Sequence, residues 1–178
     1  MASFDIYQLR IALHGTEPVV WRQVVVPGRI TFDKLHKVFQ IAMGWSDRHL
    51  HRFKSTTSGP MKAGHEKVLR LKDVAEKRGP VGGFYYEYDS GDEWLHSVFV
   101  EKIIDLGPLP AFIDCLGGER ACPPEDCGGA PGYDNLLAIL GDPGHPEHKD
   151  RRAWVGADFE PGAFDLAAVR KRLKRLKV

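Results

Sequence analysis

Two short stretches hold most of the side chains in this sequence that could do chemistry. The first, residues 85–96, reads YYEYDSGDEWLH, and the second, residues 122–129, reads CPPEDCGG. In the first, β-propensity is high on either side of Ser90-Gly91-Asp92, which reads as the turn of a hairpin. A turn centred on Ser90-Gly91 sets Asp89 opposite Asp92, Glu87 opposite Trp94 and Tyr85 opposite His96. Alternation then collects all six on one face, with Phe84, Tyr86, Tyr88, Leu95 and Phe99 on the other as core. Directly opposed carboxylates repel, so Asp89 and Asp92 require a cation, a donor-rich turn or a raised pKa. Two readings stand: a divalent ion or an Arg neutralises the pair, or both Asp side chains accept backbone N–H groups and shape the turn.

In the second stretch Pro123-Pro124 stiffens the backbone ahead of Glu125 and Asp126. A rigid loop with two carboxylates beside a thiol supplies metal ligands or a general base, or is an ordinary turn with a buried cysteine. The metal reading assigns Asp89, Asp92, Glu125 and Asp126 to a divalent cation. Catalysis would then fall to Asp89, Asp92, His96 and Glu125, with His96 as acid or base. His49 and His51 alternate with Leu50 on an expected strand over 49–54, on the side of Phe53. They chelate a metal together or serve as hydrogen-bonded structural histidines. Tyr85, Trp94 and Trp45 could stack on a planar ligand, with His49 and His51 nearby.

The elements that must carry these residues are legible from periodicity. Tyr7, Leu9, Ile11 and Leu13 alternate with polar neighbours, and residues 19–26 (VVWRQVVV) are β-branched between two prolines, which predicts an opening hairpin. Leu35, Val38, Phe39, Ala42 and Met43 fall at helical spacing between Thr31 and Gly44, a capped helix. A Ser/Thr/Gly/Pro-rich loop is expected at 55–65 and a short helix near 71–77. Further helices are expected around 136–140, over 147–154, and at Leu166, Val169, Leu173 and Leu176 behind Asp165. Residues 107–133 show little periodicity. The whole predicts an α+β fold, a mainly antiparallel sheet with helices packed on it, as a single domain over 1–178.

Composition narrows the function classes. The net charge is +1, too small for a general affinity to nucleic acid, although residues 170–177 (RKRLKRLK) carry six cations and leave −5 for the rest. That run is a contact for phosphates or the solvated face of an amphipathic helix. The N-terminus lacks a cationic region followed by an apolar run, and no stretch is long enough to span a bilayer. With three cysteines, Cys115, Cys122 and Cys127, a reducing cytoplasmic location and no membrane partner are expected. The sequence contains none of the dinucleotide, P-loop, zincin or nucleophile-elbow motifs.

Taken in order, PVVWRQVVVP, FDKLHKVFQIAMGWSDRHLHRF, YYEYDSGDEWLHSVFVE, GGERACPPEDCGGAPGY and WVGADFEPGAFDLAAV resemble the plasmid pRiA4b ORF-3-like family over nearly the whole chain. Its characteristic positions fall on Trp21, His36, Gln40, Gly44, Trp45, His49, His51, Asp89, Gly91, Asp92, Trp94, His96, Cys122 to Asp126, Gly128, Gly129, Tyr133, Trp154 and Phe159. Ser90 departs from it, standing where the family commonly has an aromatic or aliphatic residue. The resemblance implies a small intracellular α+β protein found on plasmids and beside transposable elements, some members being labelled transposon resolvases. The serine-nucleophile motif, Arg cluster and DNA-binding helix pair of a resolvase are missing from this sequence. The expected function is an accessory or binding protein that engages nucleic acid or a mobile-element protein. The alternative is a metal-dependent hydrolase, phosphodiesterase-like, built on the Asp/Glu/His cluster.

Overall fold

In the computed structural model, residues 5–55, 59–61, 64–75, 83–107 and 109–176 are described. The opening hairpin forms as the alternation requires. β1 (Asp5–Leu13) pairs with β2 (Trp21–Pro27), with Leu9 opposite Val24. Tyr7, Leu9, Ile11 and Leu13 turn inward and are buried. On the outer face, Gln8 and Gln23 both donate to Glu101 Oε2, at 3.0 and 2.6 Å.

The chain then enters α1 (Phe32–Met43), whose Leu35, Val38 and Phe39 are fully buried. Burial of each such side chain contributes about 1.5–3 kcal/mol. Gly44 ends the helix at φ 100°, its N–H on Gln40 O. β3 (His51–Ser55), the two-residue β4 (Gly59–Pro60), β5 (Gly83–Tyr88) and β6 (Trp94–Asp105) complete one half of the sheet. β7 (Asp114–Glu119) closes the other edge beside β2. The order is β4-β3-β5-β6-β1-β2-β7, and each pairing is antiparallel. The remaining helices are α2 (Leu71–Ala75), α3 (Gly129–Gly141), α4 (His148–Val155) and α5 (Leu166–Leu173). Asp165 caps α5, accepting from Ala168 N at 2.9 Å. The result is the expected α+β fold around one hydrophobic cluster. Among the described residues no helix is long and apolar enough to cross a membrane.

Four features differ from expectation. First, the central hairpin is longer at its turn. Tyr88 faces Trp94, so residues 89–93 all lie in the turn, with Asp89 and Glu93 left-handed (φ 61° and 54°) and Glu93 N on Asp89 O. This shifts the register by one and reverses one strand's faces. Tyr86 faces His96 and Tyr85 faces Ser97. Trp94 and His96 therefore turn into the core, while Leu95 and Phe99 turn outward.

Second, β3 starts only at His51, so His49 precedes the strand. Third, β7 lies within the stretch that shows no periodicity. Its Gly117-Gly118 hides the strand pattern, and the strand is held by Arg22, which is buried and donates to Glu119 O and Arg120 O at 2.8 Å each. Fourth, α3 begins at Gly129, well before the apolar residues that announce it. The loop expected at 55–65 and the end of the helix expected at 71–77 fall partly outside the described residues.

Candidate metal centre

The site is built from the loop between α1 and β3, the 89–93 turn and the loop after β7. The first is pinned from below by a polar chain through the core. Gln40 Nε2 donates to Tyr86 OH (2.9 Å), Tyr86 OH meets His36 Nδ1 (2.8 Å), and His36 Nε2 meets Asp47 Oδ1 (2.8 Å). Asp47 accepts only, so Nε2 carries the proton and Nδ1 accepts the tyrosine hydroxyl. Gln40 Oε1 also accepts from Asp47 N at 2.9 Å. Burial, with His51 stacked at 3.5 Å, holds His36 at a pKa of about 4, so it is neutral at pH 7.

Trp45 fixes the start of this loop. Its ring stacks on Tyr88 at 4.9 Å and its Nε1 donates to Pro123 O at 3.0 Å. Tyr88 OH sits at the junction. It accepts from Arg48 N (3.0 Å) and His49 N (3.4 Å) and donates to Glu125 Oε1 (2.5 Å). Burial first, and then Glu125, push the phenol up to about 12. Partial burial disfavours the Glu125 carboxylate, yet donation from Ser46 Oγ, Tyr88 OH and Ser46 N holds its carboxyl below the ordinary glutamate value.

Between these supports lies a cluster of one imidazole and two carboxylates. His49 Nδ1 is 3.6 Å from Asp89 Oδ2, and His49 Nε2 is 3.3 Å from Asp126 Oδ1. One donor atom from each of the three lies within 4.8 Å of the others. Asp89 is buried, with its N on Leu50 O and its Oδ1 accepting from Gly91 N, both at 2.9 Å. Oδ2 is left toward His49. His49 Nε2 is buried without a hydrogen-bond partner, because its approach to Asp126 lacks hydrogen-bonding geometry. Both aspartates are left-handed, φ 61° each, a conformation that costs about 1–3 kcal/mol and concentrates at functional sites.

The sequence-predicted residues divide accordingly. Asp89, Asp126 and His49 come together. Glu125 adjoins them through Tyr88, and Asp92 packs alongside, accepting from Gly128 N at 3.2 Å through Oδ2. Asp89 thus commits one oxygen to a backbone N–H of its own turn, as the turn-shaping reading expects, whereas Asp92 ties the turn to the loop at Gly128. His51 leaves for a second cluster with His36 and Asp47, its Nε2 3.0 Å from Glu66 Oε2, so the two histidines do not chelate together. His96 is fully buried, its Nδ1 3.0 Å from Tyr86 O, and burial lowers it to about 4. It does not share a face with Asp89. Trp45 and Trp94 pack 6.3 Å apart in the core, while Tyr85 lies on the opposite face beside His14, so the three form no open stacking platform. Glu87 serves the sheet, paired with Arg52 and Lys54 of β3.

Sequence reasoning overlooked Tyr88 and Tyr86 as polar supports, having counted them as core. The usable signal was on α1, where His36 and Gln40 stand at i, i+4 among the buried apolar positions.

The family model for plasmid pRiA4b ORF-3-like proteins matches residues 5–168. The chain belongs to this family. The same kinship shows in a curated relative, the uncharacterised protein y4hQ of Sinorhizobium fredii, 32% identical over 97% of this chain and 92% of its own length. It shows also in the crystal structure of MM3350, a protein of unknown function from Methanosarcina mazei. That structure is 34% identical, with a TM-score of 0.83 over 93% of this chain and 98% of its own. Family membership therefore comes with a shared fold and with relatives that are themselves uncharacterised.

Proposed function

We propose that His49, Asp89 and Asp126 bind one divalent cation and that the family fold presents this ion for metal-dependent hydrolysis. The observation that carries the reading is the buried, unbonded His49 Nε2 beside Asp126, on an imidazole whose other nitrogen faces the backbone-held Asp89. A cation would satisfy that nitrogen and neutralise both acids. The mixed imidazole and carboxylate set favours Zn²⁺ or Mn²⁺ over Ca²⁺ or Mg²⁺. Asp126 is largely exposed, so a three-residue set here leaves coordination positions for water and substrate, as catalytic sites do. Glu125, tied to the His49 backbone through Tyr88, is the residue to which we assign the role of base for such a water.

The cluster of His36, Asp47 and His51 does not compete. Both His36 nitrogens are bonded, Lys37 pairs with Asp47, and Glu66 holds His51. A nucleic-acid partner draws on the cationic C-terminal run, but Arg170 there donates to Cys115 O and pairs with Asp114.

Titration calorimetry with Zn²⁺ and Mn²⁺ tests the metal site. One equivalent should bind the wild type, and His49→Ala or Asp89→Asn should abolish binding. Equal binding by both variants would overturn the assignment. Hydrolysis of an activated phosphodiester by the loaded protein, lost in Glu125→Gln with metal binding retained, tests the reaction.

A further inference from the structure

At the N-terminal end of α1, a twelve-residue helix about 18 Å long whose C-terminal end leads into the loop that carries His49, lies a separate cleft. It has a volume of about 320 Å³, and its lining includes Ile30, Ala111, Arg29, Thr31, Lys34 and Arg70. No carboxylate lines it. Asp33, the acid of the same helical turn, is not among its lining residues.

The cations are brought together by backbone, so their convergence is part of the fold. Thr31 and Arg70 form a β-bridge. Phe32 N donates to Leu69 O, Leu71 N to Ile30 O and Lys72 N to Gly28 O, at 3.2, 3.0 and 2.9 Å. Segments 28–32 and 69–72 are therefore locked side by side. Like charges held so close repel, and among the described residues no ion pair engages Lys34 or Arg70. The start of α1 adds N–H donors beyond that of Phe32, since Thr31 makes no side-chain capping bond, although Asp33 in the same turn offsets part of its positive field.

We infer that this cleft binds the phosphate group of a small phosphorylated molecule. A phosphate monoester carries roughly −1.5 to −2 at neutral pH, which suits the Lys34 and Arg70 cations together with a helix start better than a single carboxylate does. The cleft volume is at the lower end of the range for small-ligand pockets, about 300–1,000 Å³. Nucleic acid would instead need an extended cationic track.

The test is titration of the full-length protein with pyrophosphate, followed by calorimetry and by amide chemical shifts, with a single-stranded oligonucleotide run in parallel. Saturable pyrophosphate binding is expected, with the largest shifts at the Asp33 and Lys34 amides. Lys34→Gln combined with Arg70→Gln should weaken binding roughly tenfold or more, the loss expected for a charge-assisted contact. Lys171→Gln, on α5, should leave it unchanged. Lys34 is half-buried and Arg70 exposed, so the fold should tolerate both changes, and the shifts report on the site without any variant. Absence of saturable binding, an unaffected double variant, or tighter binding of the oligonucleotide through the same residues would overturn the inference.

Discussion

Acid should destabilise this protein well above the carboxylate range, and His96 is the residue to follow. It is fully buried between Tyr86 and Trp45, and burial lowers its pKa to about 4. In the unfolded chain it titrates near 6.5. The folded pKa is the lower one, so the unfolded state takes up the proton first. The stabilising contribution is complete above about pH 6.5 and is lost as pH falls toward 4. Between pH 7 and pH 5 this linkage amounts to about 2 kcal/mol for a group shifted from 6.5 to about 4. His36, held at about 4 by burial and then by His51, adds a similar loss in the same window. Urea unfolding at pH 7, 6 and 5 measures the slope. His96→Leu should flatten it by about 2 kcal/mol over that range, whatever its stability at pH 7. A slope unchanged in the variant would refute the claim that this imidazole is locked neutral in the core.

Other outcomes follow from the hydrogen-bond geometry. Tyr88→Phe removes the donor to Glu125 and the acceptor for Arg48 N and His49 N. It should cost about 2 kcal/mol, a Tm lower by roughly 4–8 °C in a thermal melt, and should weaken metal binding as well. Gly129→Ala should destabilise by roughly 1–3 kcal/mol in the same assay, because φ is 66° and a Cβ would meet Asp92 O at 2.7 Å. Arg22→Met should unfold the protein at lower urea than either, since Ala42 O, Glu119 O and Arg120 O all lose their shared donor.

Much of the fold was legible because its elements obey simple periods. β1, β2 and α1 bury the residues that alternation and helical spacing assign to them. The candidate site was half legible. Chain order and residue type pointed to Asp89, Asp126 and His49, but the turn geometry that sorts their neighbours lies below the resolution of pattern reading. Ser90-Gly91 suggests a two-residue turn, whereas left-handed Asp89 and Glu93 stretch it to five, and the resulting one-residue shift in register sends Trp94 and His96 inward. The tertiary approach of the 122–129 loop, fixed by Trp45 Nε1 on Pro123 O and Gly128 N on Asp92, has no local signature at all.

The central claim is a single cation shared by His49, Asp89 and Asp126, and a crystal grown with Mn²⁺ tests it most directly. An anomalous difference map should show one strong peak bonded to the His49 imidazole and both aspartates. A map with no peak there, or with its peak between His36, Asp47 and His51, would contradict the account.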